Sequence, residues 1–176
     1  MIQKMNDSVT GNIVGKARMA MFDQDCEPID PLVPVPRALL GRTGFMLFHL
    51  GAALDAIADS RLAEVGVDAR GYCILAILSV DGPGSQHELA KLLGKAPGVL
   101  VADIDQLEGK GFVERNRDPE DRRRSRVTLL PAGQKALAEA DQVSADIVAS
   151  LLSGLGPAEI EELTALLNRG LLPSSE

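Results

Sequence analysis

Lys110, Arg115, Arg117, Arg122, Arg123, Arg124 and Arg126 place seven cationic side chains in one short stretch, against the acids Glu114, Asp118, Glu120 and Asp121. The stretch is therefore at +3, in a chain whose formal charge is −7 and whose pI is near 4.9. Guanidinium groups at this density do electrostatic rather than covalent chemistry. They are planar, weakly hydrated and always charged, which suits them to phosphate and to narrow electronegative grooves. A surface lattice of salt bridges is the competing use of such a run, but three consecutive arginines, Arg122 to Arg124, are hard to pair internally. The remainder of the chain is left near −10, so one basic face would project from an otherwise acidic, soluble body.

No other constellation matches this density. The two histidines, His49 and His87, share no His-x-x-x-His or Glu-x-x-His spacing, so no metal is expected. His87 reads as solvent-facing or as a phosphate contact, and His49 as a core-edge or subunit-contact residue among Phe45, Phe48 and Leu50. Cys73 sits between Tyr72 and Ile74 and is expected to be buried as a small hydrophobe. Cys26 lies among Asp23, Asp25 and Glu27, whose carboxylates raise a thiol's pKa and make a poor peroxide sensor. There is no nucleophile constellation, phosphate loop or dinucleotide fingerprint, so neither an enzyme nor a cofactor is expected.

The elements that must hold the basic stretch follow from composition and period. Of the 176 residues, 45% are hydrophobic and only 3% aromatic, which favours an aliphatic core of packed helices. No signal peptide and no run of about 20 apolar residues is present, so a cytoplasmic protein without membrane contact is expected. Residues 1–36 read as an arm with a Pro-rich end and a short helix around Gly15 to Phe22. Apolar residues at intervals of three and four predict a helix from Leu39 to Val65, stopped by Gly66. Phe45, Met46 and Phe48 widen its apolar face beyond what one intramolecular neighbour covers, which points to a partner subunit. Asp68 caps a helix through Tyr72, Ile74, Leu75, Ile77 and Leu78, which ends at a "DGPGS" turn.

Ser85 with Glu88 forms a capping box for "QHELAKLLG". A second short helix, from about Gly98 to Gly109, turns Leu100, Ile104 and Leu107 inward. Two short helices on a tight turn make a helix-turn-helix. The period then becomes alternating: "FVER" and "SRVTLL" predict two strands around the polar loop "NRDPEDRRR". This hairpin after a helix-turn-helix is a wing. Pro131 opens a helix carrying Ala136, Ala140, Val143, Ile147 and Leu151, and Pro157 opens a last one with Ile160, Leu163, Leu166, Leu167 and Leu171 on its apolar side. The fold class is thus mainly α with a small β-hairpin wing. Three regions are expected: the arm 1–36, a winged helix-turn-helix 67–130, and a helical dimerisation region from 37–66 and 131–176.

At "LEGKGFVERNRDPEDRRRSRVTLLPAG" the sequence resembles the signature of MarR-type transcription regulators, and the order of elements matches from about Leu39 to Leu171. The resemblance implies a homodimer with interlocking terminal helices and a pseudo-palindromic double-stranded DNA site, acting as a repressor. It also implies a wing arginine, Arg123, that enters the minor groove and is oriented by Asp121, with Arg122, Arg124 and Arg126 on phosphates or on neighbouring acids. A small aromatic effector is implied between the dimer helices and the winged helix, with Phe45, Phe48, His49 and Tyr72 as candidate lining.

The recognition helix departs from the family pattern. Where relatives carry Ser or Thr and then Arg, this chain has Val101 and Ala102, and Asp103, Asp105 and Glu108 are acidic. The remaining DNA-facing candidates are Ser85, Lys95, Gln106 and Arg115, the backbone near Ala96 and Gly98, and Val99 against a thymine methyl. Three readings stay open. The protein reads DNA through its wing and through duplex shape; or it has become a dimeric ligand-sensing or protein-interaction module without sequence-specific DNA binding; or the alignment of this helix is shifted by a residue or two.

Overall fold

The computed structural model describes residues 34–82, 84–117 and 125–171. The predicted helix at Gly15 to Phe22 lies outside them, as do Cys26, Asp121, Arg122, Arg123 and Arg124. A 3-10 turn at Arg37–Leu39 leads into α1, Thr43–Ala63. This helix starts four residues later than the apolar period predicts because Gly41, at φ +82°, breaks the chain direction between the two. α2, Ala69–Asp81, begins where expected: the Asp68 carboxylate accepts from the Gly71 N–H at 2.7 Å. Such a cap satisfies one of the orphan donors of the first turn, a contribution of about 1 kcal/mol.

β1, Gly84–Ser85, follows and was not legible in the sequence, where "DGPGS" reads as a turn. α3 spans Gln86–Leu92 and α4 spans Pro97–Gly109. The hairpin strands are β2, Val113–Arg117, and β3, Ser125–Leu129. The sheet is antiparallel in the order β1-β3-β2, with Arg115 opposite Val127, Asn116 opposite Arg126, and Ser85 opposite Arg126 on the other edge. α5, Pro131–Leu151, and α6, Pro157–Leu171, complete the chain, each opened by the proline that its sequence predicts.

The core is a single aliphatic cluster. Ile74, Leu75 and Leu78 of α2 meet Leu89 of α3, Leu100, Ile104 and Leu107 of α4, Val113 and Val127 of the sheet, and Ala136, Leu137 and Ala140 of α5. The winged helix is thus built onto the first half of α5. Gly133 marks the closest approach. A Cβ there would lie 2.1 Å from the Phe112 carbonyl oxygen, which accepts from the Leu130 N–H at 2.9 Å. Only a residue without a side chain lets α5 start this near to the wing. Lys110, at the end of α4, donates from Nζ to the Gly66 carbonyl at 2.7 Å and so ties that helix to the turn between α1 and α2.

Two elements are poorly covered by their own chain. α1 buries only Ala53 and Leu62, while Met46, Leu47 and Phe48 stay exposed. α6 buries no residue at all. The expectation for Cys73 is corrected: it is exposed. At 100° per residue it rotates off the face that carries Ile74, Leu75 and Leu78. Its thiol pKa is pushed up by partial desolvation and by the Asp68 carboxylate.

Candidate nucleic-acid interface

The helix-turn-helix is fixed by local chemistry before any packing. The Ser85 N–H donates to Glu88 Oε2 at 2.8 Å and the Glu88 N–H donates to Ser85 Oγ at 3.2 Å, the reciprocal box that the sequence spacing predicts. The turn after α3 closes with the Lys95 N–H on the Ala90 carbonyl at 2.9 Å. α4 then starts at Ala96 without a side-chain cap. The Gly98 amide, in its first turn, is one of the donors that such an end turns outward. Lys95, Ala96, Gly98, Val99 and Gln106 are all exposed, and Ser85 is half-buried between strand and helix.

The acids of α4 are not presented to solvent as free charges. Asp103 is only 6% exposed and lies on the inner face with Leu100, Ile104 and Leu107. Its Oδ1 meets Arg70 Nε of α2 at 3.3 Å. Its other oxygen, Oδ2, is buried without a hydrogen-bond partner. Asp105 and Glu108 are held from β2: Arg115 Nη2 pairs with Asp105 Oδ1 at 2.5 Å, Arg115 Nη1 pairs with Glu108 Oε2, and the Arg115 N–H donates to Glu108 Oε1 at 2.9 Å. Arg115 Nη2 also reaches the Val101 carbonyl at 3.3 Å. With its amide turned so that both groups are satisfied, Gln86 of α3 accepts from Nε at 2.9 Å and Nη2 at 3.0 Å.

Arg115, expected among the DNA-facing residues, has a side chain that is 20% exposed, with its donors engaged by α3 and α4. It locks the wing strand to the recognition helix and offsets two carboxylates there. Arg70 does the same for Asp103. The role of Arg70 was missed in the sequence, although Asp103 could have been placed inward from its spacing to Leu100, Ile104 and Leu107.

Arg126 is half-buried on the central strand β3, between Ser85 and Asn116, and Arg117 is exposed at the outer end of β2. The wing pair Asp121 and Arg123, with Arg122 and Arg124, lies outside the described residues. His87 is exposed on α3.

The four candidate effector residues divide into two places. Phe45 and His49, one turn apart on α1, stack with ring centroids 5.8 Å apart and an interplanar angle of 17°. Phe48 is exposed on the same helix. Tyr72 on α2 instead donates its hydroxyl to Asp141 Oδ1 on α5 at 2.8 Å. Burial, followed by that hydrogen bond, raises its pKa above the ordinary tyrosine value. Asp141 also borders a groove of about 470 Å³ between α5 and α6, with Ser144, Val148, Ile160, Glu161 and Thr164. Among the described residues no cluster of three His, Cys, Asp or Glu could hold a metal, and no helix is long and apolar enough to cross a membrane.

Comparison with known proteins agrees with this architecture. Residues 70–125, from α2 to the start of β3, match the model of the MarR family. The chain is 31% identical over 114 residues to the uncharacterized HTH-type transcriptional regulator YkoM of Bacillus subtilis, covering 65% of this chain and 73% of that protein. Wild-type MarR of E. coli in its apo form superposes with a TM-score of 0.62 at 26% identity, over 80% of this chain and 100% of that one. A MarR variant of E. coli complexed with operator DNA gives 0.60 at 25% identity, over 74% and 94%. A capped helix-turn-helix, a wing tied to its second helix, and these matches lead to one assignment: the chain belongs to the MarR family of transcription regulators.

Proposed function

We propose that the chain acts as a homodimeric repressor that binds a pseudo-palindromic duplex and is released by a small aromatic ligand. One observation carries the dimer: α6 buries none of its residues, while Leu166, Leu167 and Leu171 are 47%, 36% and 81% exposed along its side. A fifteen-residue helix with such a stripe is marginal alone and needs an apolar partner. The exposed Met46, Leu47 and Phe48 of α1 supply the matching surface on a second copy. A two-fold dimer carries two copies of α4, which suits half-sites one helical turn apart. The operator DNA bound by the E. coli MarR variant is consistent with this use of the fold.

Contact with phosphate is assigned to Lys95, to the backbone at Ala96 and Gly98, and to the wing arginines, with Asp121 and Arg123 as the minor-groove pair. The alternative reading, a sensor without sequence-specific DNA binding, follows from Val101 and Ala102 in place of base-reading side chains and from the acids of α4; the pairing of those acids with Arg70 and Arg115 supports the DNA-binding reading. The small aromatic ligand would bind between the dimer helices and the winged helix, a reading supported by the polar Tyr72–Asp141 link from α2 to α5. Sedimentation should give twice the chain mass. Anisotropy with labelled duplex should show affinity falling linearly with salt on logarithmic axes. A monomer, or no duplex binding at low salt, overturns the proposal.

A further inference from the structure

The outward face of α4 has an unusual makeup for a helix that meets DNA. Opposite the buried Leu100, Asp103, Ile104 and Leu107 run the small residues Gly98, Ala102 and Gly109. Val99 and Val101 flank this row, roughly 160° apart around the helix. They are 45% and 40% exposed. Neither packs into the core cluster. β-branched residues also gain nothing for the helix itself at exposed positions. The one acid in the row, Asp105, is paired with Arg115. Gln106 is the exposed side-chain donor on this face.

Resting on the reading of α4 as the duplex-binding helix, we infer that the chain selects its site by the C5-methyl groups of thymine, gripped by Val99 and Val101. The thymine methyl is the apolar feature that the major groove offers, and it distinguishes T·A from every other pair at that edge. The small central row lets the helix axis sit deep in the groove. The two valines then face its opposite walls, one toward each strand. An apolar face of this kind would lose affinity against guanine and cytosine edges, whose polar groups it would desolvate without replacing their hydrogen bonds. Such a site is rich in A·T pairs beneath α4, with at most a few positions fixed by hydrogen bonds from Gln106.

The test uses the full chain and one chemical change in the DNA. Duplexes retained from a random-sequence pool are resynthesised with deoxyuridine in place of thymidine, which deletes the methyl and keeps every hydrogen-bonding group. Affinity should fall about fourfold for each contacted methyl lost. Because uracil also loosens the duplex, the comparison is repeated with Val99→Ala and Val101→Ala. In these variants the thymine-to-uracil ratio should approach one, while the salt slope stays that of the parent chain.

If uracil duplexes bind as tightly as thymine duplexes, the methyl readout is wrong and the DNA-binding proposal stands; if the pool yields salt-sensitive binding with no enriched sequence, the methyl readout and the pseudo-palindromic site are wrong and duplex binding alone stands. If the valine variants keep the full ratio, the methyls act through duplex stiffness and the inference fails. If no duplex is retained at low salt, both fall together.

Discussion

The Tyr72 hydroxyl and the Asp141 carboxylate are joined at 2.8 Å, from the second helix to the fifth. This is a polar link at the seam between the winged helix and the long helices that the partner subunit would cover. Around it the seam is held by apolar packing, which tolerates small slides. The hydrogen bond adds a directional contact to that packing.

Replacing Tyr72 by Phe removes the donor and leaves the exposed Asp141 to be hydrated. The cost to stability should be about 1 kcal/mol. The pH dependence is more diagnostic. A tyrosine with a raised folded-state pKa contributes stability fully below the ordinary value of 10.0, and loses it as pH climbs through the folded value. Alkaline melting curves of the parent chain should therefore steepen above about pH 10, and those of Tyr72→Phe should not show that component.

Arg115→Ala should reduce duplex affinity about tenfold at low salt and less at high salt, because Asp105 and Glu108 would then face the phosphates unpaired. A rescue experiment separates this from direct phosphate contact. Adding Asp105→Asn and Glu108→Gln to Arg115→Ala should restore most of the loss. A guanidinium that itself touched phosphate would give no such recovery.

Removing Arg70 leaves the Asp103 carboxylate buried with neither oxygen satisfied. Breaking a fully buried pair costs about 3–5 kcal/mol, but Arg70 is half exposed, so about 1–2 kcal/mol is expected for Arg70→Ala. The double variant with Asp103→Leu should regain stability relative to Arg70→Ala, measured by chemical denaturation, since an apolar residue suits that inner face.

Gly133→Ala should be the most damaging of these substitutions for its size. The added methyl meets a backbone carbonyl, which cannot rotate away, and α5 must shift from the wing. A loss of about 2 kcal/mol, or roughly 4–8 °C in Tm, is expected. Lys135→Ala, two residues on and exposed, should melt near the parent temperature.

What the sequence made legible was what neighbouring residues decide for themselves. Asp68 before Gly71, Ser85 with Glu88, and Pro131 and Pro157 at helix starts are local signals, and each stands where its spacing placed it. β1 escaped because two residues of a glycine-rich turn have no alternation to read; they become a strand only when β3 arrives beside them. Cys73 was misjudged from its sequence neighbours, when the helix turns each neighbour to a different side. The partners of Arg115 were hidden because they sit on α3 and α4, and nothing in the chain order says that the first wing strand folds back against both. Arg70 was overlooked for the same reason. Charge was visible in the sequence, and its pairing was not.

Ser85 has two obligations at once: it closes the sheet against Arg126, and it caps the helix that begins at Gln86. The strands of the wing and the two short helices therefore share a hinge pin rather than a hinge. If the chain binds DNA as proposed, that shared residue would hold the wing and the two short helices in one fixed spacing. A duplex whose grooves did not match the spacing would have to bend or twist to fit. Base pairs between the contacted positions, touched by nothing, would then be ranked by how willingly they deform.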